Sequence, residues 1–164
     1  MHIGVIPVGR IDTKILKCVC DALHEVFGIS AEIKDAQPIP DGAYIEERGQ
    51  YLAFAFVSVA SVGECDKNIV ITDVDVYSPE LNFVFGQAEL GGNGCMISIH
   101  RLQSNESNLL EERAKKEAVH EIGHTLGLSH CQDKKCVMSY SPSINDVDYK
   151  GRTLCPRCER ICSC

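Results

Sequence analysis

The stretch HEIGHTLGLSH, His120 to His130, decides how the rest of the 164-residue chain is read. His120 and His124 stand four residues apart, so on a helix both imidazoles leave the same face and can share one metal ion. Gly127 can adopt the left-handed conformation that ends a helix and turns the chain back. That turn would carry His130 to the same point as a third ligand. Three protein ligands with a fourth position left to water is the pattern of a catalytic zinc site. Glu121 would stay outside the ligand set as general base to a water whose pKa zinc lowers from about 15.7 towards about 7. A bare HExxH also arises by chance among ordinary helices, but the added glycine and histidine lower a chance match roughly a hundredfold.

Six of the ten cysteines fall from Cys131 onward. Cys131 directly follows the last histidine, Cys136 comes after a short charged loop, and CPRC adds Cys155 and Cys158. Four thiols in two close pairs suit a closed tetrahedral zinc, so two zinc ions per chain are expected, one catalytic and one structural. The second would pin a C-terminal segment poor in apolar residues, because metal binding contributes directly to folding. A redox CxxC would be expected to open a helix in a thioredoxin-like βαβ unit, whereas this one sits at the chain end. Disulfides are disfavoured in a reducing compartment. Cys162 and Cys164 are spare ligands or tail residues, and Cys18, Cys20, Cys65 and Cys95 read as small buried hydrophobes.

Working outward, the chain from Ser107 or Asn108 to Gly127 has the caps and early acidic residues of a helix. Ile15, Leu16, Val19, Leu23, Val26 and Phe27 recur at helical spacing between Asp12 or Thr13 and Gly28, behind a first strand near the N-terminus. A second strand is expected near Ile29 to Ile33, and the Pro-containing segment 35–49 reads as a surface connection. YLAFAFVSVASV suits either a buried strand or a buried helix. Helix is preferred, because a parallel strand at NIVITDVDVY needs a crossover before it. NFVFGQAEL and CMISIHRL then read as two further strands around the turn GGNG. The order βαβαβββ predicts a mixed α/β sheet in a single domain. Within it, residues 1–127 supply the sheet and the histidine helix, and residues 128–164 hold no long periodic element.

The formal net charge of −7, with lysines and arginines scattered, excludes the basic stripe of a nucleic-acid binder. No run approaches the roughly 18 apolar residues of a membrane span. MHIGVIPVGR lacks the basic start and cleavage signal of a secretory leader, so a cytoplasmic protein without an inhibitory pro-segment is expected.

HExxHxxGxxH followed by a downstream methionine is the metzincin signature, and the interleaved cysteines make the chain resemble an archaemetzincin in particular. RGQY (Arg48–Tyr51), TDVDVYSPELNFVFG (Thr72–Gly86) and SIHRL (Ser98–Leu102) extend the resemblance over most of the chain. It implies a metzincin fold: a twisted mixed sheet of about five strands, an antiparallel edge strand over the cleft, an active-site helix below, and a loop-rich, zinc-stapled C-terminal segment. It also implies His120, His124 and His130 as catalytic zinc ligands, Glu121 as general base or acid, Met138 as the Met-turn residue, and Cys131, Cys136, Cys155 and Cys158 as the second zinc site. Sixteen residues separate Met138 from Cys155, one fewer than the family's usual spacing, a difference a loop absorbs. Tyr140 occupies the place from which some metzincins offer a tyrosine to the zinc or the oxyanion, with a packed aromatic as the alternative.

The function expected is zinc-dependent hydrolysis of a peptide or protein substrate by a monomer, NFVFGQAEL pairing with the extended substrate backbone. The alternative is a zinc-stabilised peptide-binding scaffold without turnover, against which the presence of Glu121 counts.

Overall fold

The computed structural model describes residues 1–163, so Cys164 lies outside the described residues. In chain order the elements are β1 (His2–Val8), α1 (Thr13–Phe27), β2 (Ser30–Ile33), β3 (Tyr44–Ile45), β4 (Gln50–Leu52), α2 (Ala53–Ser61), β5 (Lys67–Thr72), β6 (Val76–Tyr77), β7 (Gly86–Ala88), β8 (Gly94–Ser98), α3 (Leu109–Thr125), α4 (Ile144–Tyr149) and α5 (Pro156–Cys162).

Alternation along the central strands divides the core in two. Ile3 and Val5 of β1, Ile69 and Ile71 of β5, and Cys95 and Ile97 of β8 enter one cluster with α1 and α3. Ile6, Val8, Val70 and Met96 enter the other, with Ala53, Phe56, Val57 and Ala60 of α2. Both faces of the sheet are therefore covered, which is why these strands read as near-continuous apolar runs. The sheet runs β2-β1-β5-β8-β7, parallel except for the antiparallel edge strand β7. This is the mixed five-stranded sheet the sequence implied.

Helix α1 begins where the Asp12 side chain accepts from the Lys14 amide at 2.8 Å and ends at Gly28 with φ 67°, as its apolar spacing predicts. The ambiguous run at 51–62 is helical over Ala53–Ser61. In α3, Asn108 stands before the first turn with Glu111 and Glu112 in it, the acidic side chains complementing the helix dipole.

Four expectations are corrected. NIVITDVDVY is not one strand: β5 stops at Thr72, and Val76–Tyr77 joins β3 and β4 in a separate three-stranded sheet. The chain leaves the main sheet at Asp73–Asp75, where Arg101 grips both Asp75 oxygens at 2.7 and 2.8 Å. CMISIHRL ends as a strand at Ser98, because Ile99 (φ −88°, ψ 0°) leaves the extended region and His100–Leu102 turn tightly to bury Leu102. Of NFVFGQAEL only Gly86–Ala88 pairs. The 35–49 connection contains β3, whose Tyr44 and Ile45 pair with Tyr51 and Gln50.

The C-terminal segment also holds two short helices. Ser143 and Asp146 form a capping box ahead of α4, and Pro156 occupies the first turn of α5. CPRC thus does open a helix, although no βαβ unit surrounds it. No helix among the described residues is long and apolar enough to cross a membrane.

Candidate metal centre and active site

Helix α3 brings His120 and His124 together as the four-residue spacing requires, with Nε2 atoms 3.0 Å apart. The helix ends one residue after His124; the Leu128 amide then donates to the Gly123 carbonyl at 2.9 Å and Gly127 takes φ 92°. This reversal sets the His130 ring 5.3 Å from that of His120 and 4.9 Å from that of His124, and one ring nitrogen of each lies within 4.8 Å of the others.

Two backbone carbonyls fix which nitrogen is free. A carbonyl can only accept, so Nδ1 of His120 donates to Val137 O at 2.8 Å and Nδ1 of His124 donates to Leu128 O at 2.7 Å. Nε2 of each ring is left with its lone pair facing the cluster, the tautomer a metal needs. Burial pushes His120 well below its usual pKa of 6.5 and lowers His124 and His130, so all three are held neutral. These residues fit a zinc ion.

Glu121 is buried on the same helix and lines a cleft of about 520 Å³ together with the three histidines, Glu117, Tyr140 and the segment 81–88. Burial, reinforced by the neighbouring Glu117 charge, raises its carboxyl well above the usual 4.5. Room for it comes from Gly86 of β7, where a Cβ would lie 2.5 Å from Glu121 Oε1 and 2.7 Å from its Cγ. The edge strand thus approaches the carboxylate because it carries a glycine there.

Met138 is fully buried, and its sulfur packs where a Cβ on Gly123 would stand, its methyl 3.0 Å from that point. The turn at Met138 therefore sits against the histidine helix at a glycine. Tyr140 is half exposed, its ring 5.1 Å from that of His130.

Cys131, Cys136, Cys155 and Cys158 converge with their sulfurs all within 4.8 Å of one another. Cys131 and Cys155 are 3.8 Å apart, matching the roughly 3.8 Å edge of a tetrahedron with zinc–sulfur bonds of about 2.3 Å. The Cys158 amide at the start of α5 lowers Cys155 to about 7, while burial pushes Cys136 and Cys158 up. The two clusters are tied by backbone: Cys131 N–H donates to Met138 O at 2.9 Å, and Val137, whose carbonyl orients His120, lies between Cys136 and Met138. Among the cysteines read as buried, Cys95 is buried, whereas Cys18, Cys20 and Cys65 are half-buried.

Sequence reasoning missed Glu117, Lys150, Gly86 and the carbonyls of Val137 and Leu128. Glu117 could have been found by its spacing, four residues before Glu121 on the same helix.

The family model for peptidase family M54 matches residues 53–163. The archaemetzincin of Natronomonas pharaonis is 43% identical over 170 residues covering 98% of each chain, and that of Methanocaldococcus jannaschii is 43% identical over 96% of this chain and 90% of its own. The crystal structure of archaemetzincin from Methanopyrus kandleri superposes with a TM-score of 0.90 at 37% identity, covering 99% of this chain and 94% of that one. The archaemetzincin from Archaeoglobus fulgidus, solved in complex with malonate, gives 0.90 at 34% identity, covering 98% and 99%. Matched by the family model over residues 53–163 and along nearly its whole length by such relatives and by solved structures of the same fold, the chain belongs to the archaemetzincins, zinc metalloproteases of peptidase family M54.

Proposed function

We propose that the chain hydrolyses peptide bonds with a catalytic zinc held by His120, His124 and His130 and with Glu121 as the proton carrier, while Cys131, Cys136, Cys155 and Cys158 hold a second, structural zinc. The observation that carries this is the pair of carbonyl-anchored imidazoles, Nε2 outward, beside a buried carboxyl in one cleft. Zinc bound there would supply Lewis acidity, polarising the scissile carbonyl and making water a better acid.

Glu121 takes the proton from the attacking water and returns it to the leaving amine. Burial raises its carboxyl above the usual 4.5, which favours taking up that proton. The outer edge of β7, open on the side away from β8, is the place for the substrate backbone to add as a strand. Tyr140, beside His130 at the mouth of the cleft, donates to the oxyanion. The chain acts as a monomer in the cytoplasm.

The test is digestion of a peptide library by the zinc-loaded wild type and by Glu121→Gln, with metal analysis of both. Cleavage by the wild type alone, two zinc ions in each protein and one of them lost readily to a chelator, is the expected result. Equal cleavage by both proteins defeats the role of Glu121, and one zinc per chain defeats the second site.

A further inference from the structure

Away from the cleft, His2 and the buried Gly4 share one face of β1, by alternation, with Ile6 and Val8 of the cluster packed by α2. Glu32 stands beside Gly4 on the neighbouring strand β2. The loop between α2 and β5 brings Cys65 to the same place.

One ligand atom from each of His2, Glu32 and Cys65 lies within 4.8 Å of the other two. His2 Nε2 is 3.3 Å from Glu32 Oε1, and Cys65 Sγ is 3.9 Å from that oxygen. The edges of a tetrahedral zinc site with nitrogen, oxygen and sulfur ligands are roughly 3.4 to 3.6 Å, so the two edges that meet at Glu32 Oε1 need change only by tenths of an ångström. Gly4 is the second observation. A Cβ there would stand 2.7 Å from Asn68 Oδ1 and 3.2 Å from the Cys65 sulfur, so a larger residue would press on Asn68 and make the thiol give by a few tenths of an ångström. Glycine inside a strand costs stability and marks a place of close approach.

The obstacle is Lys34, whose ammonium pairs with Glu32. Its side chain is about a third exposed and carries four rotatable bonds, so it can swing into water, and a dication then replaces a monocation beside the same carboxylate.

We propose that His2, Glu32 and Cys65 form a third metal site, taking a divalent transition ion of the zinc class with water completing the shell, in exchange for the Lys34 ammonium. The Cys65 thiol releases its proton to solvent as the ion binds, and no oxidation state changes. The ion would clasp three adjacent pieces of the sheet's edge: the start of β1, strand β2 and the loop before β5.

The experiment uses the full chain without a histidine tag, its two deeper clusters filled with zinc, and titrates it with cobalt(II), whose thiolate complexes absorb visibly. The wild type should show one saturable equivalent of thiolate–cobalt absorption that is missing from Cys65→Ser and from His2→Ala. Lys34→Gln should bind about tenfold tighter, because the competing charge is gone. Unchanged zinc content and peptidase activity in these variants keep the reading separate from misfolding and from the chemistry of the cleft. A wild type indistinguishable from Cys65→Ser overturns the proposal, leaving an ordinary surface ion pair. Lys34→Gln binding no tighter than wild type overturns it equally, since the metal would then not enter where the ammonium lies.

Discussion

Glu117 and Lys150 meet carboxylate to ammonium at 2.8 Å, with only 5% and 1% of their side chains exposed. The two atoms are poorly aligned for a hydrogen bond, and neither has another partner among the described residues. Charge alone thus holds together a pair whose acid also lines the cleft four residues before Glu121. Removing one member of such a pair leaves the other a buried charge without its counter-ion. Lys150→Met should therefore cost about 3 kcal/mol or more, and Glu117→Gln with Lys150→Met should recover most of that loss. Urea denaturation of the three proteins is the check; a single-substitution loss below about 1 kcal/mol would mean that water reaches the pair.

Gly86→Ala places a methyl group against the Glu121 side chain, whose atoms are its three nearest neighbours. Turnover should fall by about a hundredfold, the size of effect expected when a reacting group is displaced by about an ångström. Zinc content should stay at the wild-type value. Parallel loss of metal and activity would show that β7 supports the histidines and not the acid.

Cys136→Ser should empty the thiol cluster and also weaken the histidine site, although Cys136 touches none of the histidines. The link is one residue long: Val137 follows Cys136, and its carbonyl accepts a hydrogen bond from His120 Nδ1 at 2.8 Å. Loss of such an orienting partner commonly costs about 10- to 100-fold in metal affinity. Competition with a graded series of chelators measures it, and an unchanged affinity of the histidine site would break the coupling.

Acid should destabilise the metal-free chain through its histidines. The folded pKa values of His120, His124 and His130 are lowered below the usual 6.5, so below that value the unfolded chain binds more protons than the folded one. Their contribution is complete above about pH 6.5 and is lost as pH falls towards the folded values. Glu121, raised by burial, contributes with the opposite sign, so the useful quantity is a difference. Between about pH 7 and 5 the wild type should lose stability more steeply than His124→Gln, by no more than about 1.4 kcal/mol per pH unit. Denaturation curves along that range decide it, and parallel slopes would mean that His124 is solvated when the metal is absent.

The features of this structure that are legible in the sequence are those set by local chemistry. Asp12 and Gly28 bracket α1 because a cap and a left-handed stop act within one turn. The histidine cluster follows from helical spacing and one glycine turn. What was hidden depends on partners far away in the chain. The break between Thr72 and Val76 is invisible because apolar alternation runs straight through it; the turn is secured by Arg101, 26 residues from Asp75. Strands as short as Tyr44–Ile45 exist only by pairing. The helix α4 did carry a signal in its Ser143–Asp146 box, too short to stand out without periodicity. Gly86 looked like any glycine, since nothing local announces that the fold will bring the distant Glu121 carboxylate to face it.

Gly123 lies inside a 17-residue helix, where glycine is about 1 kcal/mol worse than alanine. A protein engineer seeking a hardier enzyme would replace it first. The sulfur of Met138 occupies the volume that the new methyl group would claim, so reasoning from propensity scales fails at this position: the added helix strength would go into prising the Met-turn away from the histidines. Robustness has to be sought elsewhere on the helix, on its half-buried first turn before Arg113.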